Sequence, residues 1–326
     1  MQEDPQKPAG VKEALHPRNK HRSRYDLDML SKTSPELAPF VVINKYKDKT
    51  INFADPQAVK ALNSALLKHY YNIASWDIPD GYLSPPVPGR ADYIHHAADL
   101  LGGDNGGHVP TGPSISVLDI GVGANCIFPI IGSHEYQWKF IGTDTDAKAI
   151  QSAKLITASN PTLENAVEFR FQSIPTQVFK DIVQPGEEFD LTVCNPPFHS
   201  NLEEARMSTE RKWKNLDSGK LTRNVPEVRN FGGQPNELSF PGGEEAFISH
   251  MIAQSAEIPL NCYWFTTLVS KGENMHNVYK ALKKVKATEV KKIDMAQGNK
   301  VSRLVAWTFL SPAQKTEWRA RHWWNS

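Results

Sequence analysis

After residue 113, short apolar runs alternate with segments of helical periodicity, and this alternation constrains the fold more than any other feature. The early runs are separated by helical segments, which predicts an α/β fold with a mostly parallel sheet and helices on both faces. The last two runs have no helix between them and predict an antiparallel hairpin. The predicted strands are 115–120, 139–143, 167–171, 189–194, 262–270, 289–295 and 303–310.

A glycine-rich and proline-containing segment at 102–113 is the strongest linker signal in the chain. Before it, Asp55 and Pro56 have the residue types of a helix cap and a first helical position, followed by an amphipathic repeat. A further helix is predicted over 92–101, after a proline-rich stretch in which we expect no regular structure. The predicted organisation is a small, mainly helical N-terminal region at 1–101, the linker, a main domain at 114–310 and a tail at 311–326.

The composition excludes few functions, but it indicates the compartment in which the protein works. The chain has 37 Lys and Arg against 36 Asp and Glu, so any affinity for nucleic acid has to come from local patches. Its three cysteines are far apart, which argues against a disulfide framework and a cysteine zinc site. No apolar run approaches the roughly 18 residues of a membrane span. We therefore expect a cytoplasmic protein without a bound metal.

The first predicted strand ends in the sequence DIGVG, which is typical of a nucleotide site at the carboxyl edge of an α/β sheet. Gly121 and Gly123 allow a ligand to approach the backbone, although a buried turn that needs glycine is an equally good interpretation of this motif alone. Cys126 stands where a dinucleotide fingerprint has its third glycine, which counts against NAD or FAD. Asp144 ends the second strand and is placed to bind ribose hydroxyls, so a nucleoside without a diphosphate fits better.

The fourth predicted strand ends in Asn195-Pro196-Pro197-Phe198. The two prolines stiffen the turn and force Asn195 into an extended conformation, which holds its side-chain oxygen and the Pro196 carbonyl as fixed acceptors beside an aromatic ring. Such a set suits a planar amine on an aromatic base, because two acceptors can orient its lone pair toward an electrophile. A rigid loop that merely caps the strand is the alternative for this motif on its own.

Basic residues concentrate in two stretches. Arg18, Lys20, Arg22 and Arg24 lie close together near the N-terminus, where a solvated surface and a phosphate-binding arm are equally compatible with the pattern. The second stretch, 206–223, lies between the fourth and fifth predicted strands. The tail adds tryptophans among arginines, for which packing on the protein body is favoured over stacking on RNA.

Together, DIGVGAN and CNPPFHS resemble the class I S-adenosylmethionine-dependent methyltransferases that act on adenine N6. Longer segments, among them LHPRN, NFADPQAVKALN and GGEEAFI, resemble the bacterial 23S ribosomal RNA adenine-N6 methyltransferase F family across about 15–310. The resemblance implies a Rossmann-like class I methyltransferase sheet. It also implies S-adenosylmethionine as cofactor and, as partner, 23S ribosomal RNA or an assembling large ribosomal subunit.

The resemblance further assigns roles to residues. The adenine would be held by Asn195, Pro196, Pro197 and Phe198. The cofactor would be bound by Arg90, Asp119, Gly121, Gly123 and Asp144. RNA would be contacted by Arg18, Lys20, Arg22 and Arg24. For the stretch 206–223 the resemblance implies only a location near the cofactor and RNA, which makes Arg211, Lys212 and Lys214 further candidates for RNA contact.

Two other functions remain open from the sequence. Glutamine side chains in proteins and amines in other RNAs are planar too, and they could use the same turn. The alternative that is not an enzyme is an RNA-binding assembly factor with a degenerate methyltransferase fold. The basic arm favours nucleic acid over protein as the substrate, although phosphate contacts alone do not distinguish RNA from DNA.

Overall fold

The N-terminal region is mainly helical in the computed structural model, which describes residues 15–200, 233–297 and 300–323. Asp55 caps the second helix through the backbone N–H of Gln57, as its sequence predicts. The elements of this region are helix α1 (Leu27–Thr33), a 3-10 helix (Pro35–Phe40), a hairpin of β1 (Val41–Ile43) and β2 (Lys49–Ile51), α2 (Pro56–Tyr71) and α3 (Val87–Asp104).

Helix α3 is longer than the sequence predicts. It begins at Val87 rather than at residue 92, and the expectation of no regular structure up to that point is wrong. Pro88 lies in the first turn, where a missing N–H removes no intrahelical hydrogen bond. The helix also continues to Asp104, inside the predicted linker, and Gly102 is buried. The division of the chain at 102–113 stays a prediction.

Within the described residues, seven strands form one sheet in the order β5–β4–β3–β6–β7–β9–β8. Strands β3 to β7 pair in parallel, whereas β9 is antiparallel to both β7 and β8. The mostly parallel sheet with a C-terminal antiparallel hairpin is therefore confirmed. The strands are β3 (Ser116–Ile120), β4 (Lys139–Asp144), β5 (Val167–Phe171), β6 (Phe189–Cys194), β7 (Cys262–Val269), β8 (Glu289–Gln297) and β9 (Lys300–Thr308).

Apolar side chains of alternate sheet residues fill two cores, one on each face. Val117 and Val193 belong to the first core, and the residues that follow them, Leu118 and Cys194, belong to the second. This division follows the two-residue period of a strand. The first core also contains residues of α1 to α3, so the N-terminal helices pack on the sheet. The other helices are α4 (Ile127–Tyr136), α5 (Ala147–Ala158), α6 (Pro235–Leu238), α7 (Gly243–Ser255), α8 (Met275–Lys284) and α9 (Pro312–His322).

The tail forms helix α9 and packs against the sheet. Trp318 and Trp323 are buried, and the indole N–H of each donates to Oδ1 of Asp190 over 2.7 Å. Oδ2 of the same carboxylate accepts the backbone N–H of Ser116 at 2.9 Å. Packing of these two tryptophans on the protein body is therefore confirmed. Trp324 lies outside the described residues.

Candidate active site

The predicted site residues converge at the carboxyl edge of the sheet, where β3, β4 and β6 end. A cavity of about 180 Å³ opens there. It is bounded by residues from three strand ends and by the first turn of α3, so segments far apart in the sequence form one site. The predicted residues that line the cavity are Arg90, Gly121, Gly123, Asp144, Asn195 and Pro197.

The turn after β3 brings backbone to the cavity. Gly121 and Gly123 have φ values of +76° and +65°, which favour glycine. A Cβ atom on Gly121 would meet nothing within 4 Å, so this position borders open space. The turn is held to β4, because the N–H groups of Gly121 and Val122 donate to the Thr143 carbonyl over 2.9 and 2.8 Å. The strand pair thus fixes the wall of the cavity.

Asp119 has a buried carboxyl group and Arg90 a half-buried guanidinium, and neither has a hydrogen bond or ion pair within the described residues. Neither carboxylate oxygen of Asp119 has a hydrogen bond in the described part of the chain. Burial, with a contribution from Asp144, raises the pKa of Asp119 well above its usual range, and Arg90 opposes this shift. The Arg90 guanidinium lies 5.8 Å from the ring centre of Phe128, and burial lowers its pKa to about 10. One ligand carrying both an ammonium and a carboxylate group would compensate both charges.

Asp144 connects the end of β4 to the glycine turn. Its Oδ2 accepts the backbone N–H of Gly123 at 2.9 Å, and its Oδ1 accepts that of Asp146 at 3.0 Å. Burial raises the pKa of Asp144, while these backbone N–H groups oppose the shift by stabilising the charged form. Each carboxylate oxygen keeps a second lone pair, so a ligand hydroxyl can still donate to it.

Asn195 follows β6 at the same edge as Gly121. In the parallel pairing of β3 with β6, Cys194 lies opposite Ile120, so the residues that follow each of them are neighbours at the cavity. The side-chain oxygen of Asn195 is buried and has no hydrogen-bond partner among the described residues. Pro197 lines the cavity, whereas Pro196 and Phe198 are not among its lining residues. The turn therefore places at the cavity a residue whose side-chain acceptor has no partner in the described chain.

Several lining residues were not predicted. Glu237, on α6, accepts the backbone N–H groups of Gln234 at 2.7 Å and of Leu83 at 3.2 Å through Oε2. Burial raises the pKa of this carboxyl to about 7. Phe240 and Phe247 also line the cavity and meet edge to face, with ring centres 5.4 Å apart. Sequence motifs at the strand ends do not predict these three residues, because they come more than 40 residues after the end of β6 and reach the cavity only through the fold.

The N-terminal basic residues are largely engaged within the chain. Arg18 donates to Tyr136 Oη over 3.0 Å and pairs with Asp99. Lys20 and Arg24 form ion pairs, Lys20 with Glu135 at 2.7 Å and Arg24 with Asp48 at 3.2 Å.

The Nε atom of Arg22 is buried and has no hydrogen-bond partner within the described residues. Contact of these basic residues with RNA stays a prediction. Arg211, Lys212 and Lys214 lie outside the described residues.

Two kinds of feature are absent from the part of the chain that the structure describes. No helix there is long and apolar enough to cross a membrane. No group of three or more His, Cys, Asp and Glu side chains there could hold a metal ion.

A sequence profile described as "RNA methyltransferase" matches residues 9–311. The chain belongs to this RNA methyltransferase family. The methyltransferase is 51% identical to "Ribosomal RNA large subunit methyltransferase F" of Photobacterium profundum, with 99% of each chain covered. It is 53% identical to the protein of the same name from Yersinia enterocolitica serotype O:8, over 96% of this chain and 92% of the relative. The profile ends before α9, but the alignment with the Photobacterium protein extends into the tail.

Solved structures agree with this assignment. The hMettl16 catalytic domain in complex with MAT2A 3′UTR hairpin 6 is 29% identical, with a TM-score of 0.74, and covers 91% of this chain and 98% of its own. The N-terminal domain of human METTL16 in complex with SAH, at 24% identity and a TM-score of 0.71, supports the fold. Membership confirms the predicted class I methyltransferase fold, the RNA methyltransferase activity and S-adenosylmethionine as the cofactor of the methyltransferase.

Proposed function

We propose that the protein methylates N6 of one adenine in the RNA of the large ribosomal subunit. The observation that carries the proposal is the buried, unpartnered side-chain oxygen of Asn195 at the cavity. The names of the Photobacterium and Yersinia relatives support ribosomal RNA as the substrate. That substrate would be met in the cytoplasm, as bare RNA or within an assembling subunit.

The residues of the cavity, together with the buried Asp119 that precedes the lining residue Ile120, fit S-adenosylmethionine, which supplies an electrophilic methyl group when bound. Asp119, whose carboxylate has no partner within the described chain, would accept the ammonium of the methionine part. Arg90 would bind its carboxylate, and Asp144 would accept the ribose hydroxyls. Gly121 leaves room for the ligand beside the backbone, whereas a Cβ atom on Gly123 would lie 3.1 Å from the side-chain nitrogen of Asn125. The buried carboxyl group of Asp119 and the half-buried guanidinium of Arg90 each gain a partner of opposite charge in this arrangement.

Asn195 and Pro196 would orient the reacting amine. If the Asn195 side-chain oxygen and the Pro196 carbonyl accept the two N6 hydrogens, the nitrogen lone pair turns out of the plane of the base. Phe198 would stack on the adenine and hold its plane. Catalysis then rests on orientation and fixed dipoles, and no general base is required because the positively charged product releases its proton readily.

An adenine inside a paired helix cannot reach such a turn. The substrate would therefore be an unpaired adenine or one flipped out of its stack. Contacts to the flanking RNA would come from the N-terminal basic residues and from Arg211, Lys212 and Lys214. Arg24 is the most open of the N-terminal set described, with 73% of its side chain exposed.

The test is methyl transfer from radiolabelled S-adenosylmethionine to large-subunit RNA from a strain lacking the gene. We expect label in N6-methyladenosine at one position, and no label in RNA from the parent strain, where that position is already modified. A release-factor protein in parallel tests glutamine methylation, since a glutamine amide also fits two acceptors. Label in that protein and none in RNA would contradict the proposal, as would binding of RNA without any transfer.

A further inference from the structure

The segment His16–Tyr25, which we call the arm, has two sides. Its buried side consists of His16, Asn19 and His21, which are 6%, 3% and 0% exposed. Its exposed side carries cations, among them Arg18 and Lys20. One side is thus fastened to the protein, while the other carries cations that stay partly exposed beside their ion pairs with Asp99 and Glu135.

Asn19 fastens the arm to the start of helix α3. Its Nδ2 donates to the Pro88 carbonyl over 2.9 Å and to Oδ1 of Asp92 over 3.1 Å. The backbone N–H of His16 donates to the same Asp92 oxygen over 2.6 Å. Pro88 and Asp92 stand two residues before and after Arg90. The arm therefore holds both ends of the helical turn from which the Arg90 side chain projects.

This turn has backbone hydrogen bonds from Gly89 and Arg90 to the Pro86 carbonyl, at 3.1 and 3.3 Å, but no side-chain cap. Its N-cap position is Pro86, which makes no side-chain capping bond, and Gly89 lies within the turn. Arg90 itself has no hydrogen bond or ion pair in the described chain that would fix its guanidinium, and its contact with the Phe128 ring, at 5.8 Å from the ring centre, is near the outer limit of a cation–π contact. The direction in which Arg90 enters the cavity thus depends on how the backbone of the turn is held.

We infer that Asn19 is a positioning residue for Arg90, so that the arm expected to contact RNA also sets the geometry of the cofactor site. The inference rests on the proposed function, because it assigns Arg90 to the cofactor. The inference goes beyond the proposed function because it connects the arm to the cofactor site, whose residues are far from the arm in the sequence. A shift of the arm would change affinity for the cofactor, and by linkage bound cofactor would change affinity for RNA by the same factor.

The test is calorimetric titration of the full chain with S-adenosylhomocysteine. Asn19→Asp keeps the size of the side chain but places an acceptor against the Pro88 carbonyl and Asp92. We expect its affinity to fall about tenfold, as for the loss of one to two hydrogen bonds. Tyr71→Phe is the matched control, because the Tyr71 hydroxyl holds His21 of the same arm at 2.9 Å but belongs to α2. Its affinity should stay within about twofold of the parent.

A second substitution separates positioning from general damage. In the double variant Asn19→Asp with Asp92→Asn, the amide and carboxylate are exchanged, a hydrogen bond between the two positions is possible again, and affinity should recover in part. Thermal unfolding checks that each variant is folded, and Asn19→Ser replaces Asn19→Asp if the latter is not. Unchanged affinity in the folded Asn19 variant, or an equal loss in Tyr71→Phe, would overturn the inference. A parent protein that does not bind S-adenosylhomocysteine would instead contradict the proposed function.

Discussion

Gly123 donates its backbone N–H to the Asp144 carboxylate over 2.9 Å. The hydrogen bond joins the glycine turn after β3 to the acidic end of β4, so the two parts of the proposed cofactor site form one unit. The same carboxylate also accepts the N–H of Asp146. A single side chain thus shapes the backbone wall of the cavity and would supply the acceptor for the ribose.

We expect Asp144→Asn to weaken binding of S-adenosylhomocysteine by about tenfold. The asparagine amide has one oxygen, whereas the carboxylate uses one oxygen for the N–H of Gly123 and the other for that of Asp146. One backbone N–H therefore loses its acceptor, and the turn is held less firmly. Calorimetric titration measures the change. Asp77→Asn, at a side chain that is 77% exposed, is the control and should bind as the parent does. Equal affinities for the Asp144 variant and the parent would contradict the role.

Asn195→Ala should retain cofactor binding but lose about two to three orders of magnitude in kcat. The reason is that the variant removes an acceptor that orients the amine, whereas the groups assigned to the cofactor remain. Single-turnover methylation of RNA and calorimetry with S-adenosylhomocysteine separate the two effects. Asn105→Ala, at the end of α3, is the control and should react at the parent rate. Near-normal turnover in the Asn195 variant would refute its assignment.

The raised pKa of Glu237 predicts a pH-dependent contribution to stability. The folded-state pKa is about 7, above the ordinary value of 4.5, so the folded protein binds this proton more tightly than the unfolded chain. The contribution is complete below about pH 4.5 and is lost as the pH rises through 7. The Glu237→Gln variant does not lose stability in this way, because glutamine does not titrate. Its melting temperature should therefore rise relative to that of the parent between pH 5.5 and 8.5, and parallel pH profiles would contradict the prediction.

The hydrogen bonds of Trp318 and Trp323 to Asp190 should stabilise the fold. Replacing either tryptophan by phenylalanine removes one donor to a buried carboxylate and should cost about 1–3 kcal/mol in the free energy of unfolding. The double variant should lose more than either single one, because Asp190 then keeps only its backbone donor. Urea unfolding measures these energies.

Arg321→Ala is the control for the tail. Arg321 pairs with Glu188 at 2.7 Å and is 48% exposed, so its removal should cost less than about 1 kcal/mol. Equal stability of the parent and the double tryptophan variant would show that the two hydrogen bonds to Asp190 do not stabilise the fold.

The sequence determined the fold class and most strand bounds, because a strand's apolar alternation and a helix's periodicity are local properties. Strands β5 and β6 have the bounds that the sequence predicts. The turns at Gly121 and Asn195 were also predicted as parts of one site, because parallel strands end at the same edge of a sheet. The predicted start of α3 was wrong, because a proline-rich sequence does not by itself reveal which proline occupies the first turn of a helix.

Tertiary structure alone decided the contacts between distant parts of the chain. Asn19 meets Asp92 73 residues later, and Trp323 meets Asp190 133 residues earlier. Glu237 lines the cavity, where its carboxylate accepts the backbone N–H of Leu83, a residue 154 positions earlier in the chain. No local pattern encodes such pairs, because they depend on how helices and strands pack. The sequence by itself determined which chemical groups are present and which sheet edge they share, and packing decided which of them are buried, left without partners and held by the arm.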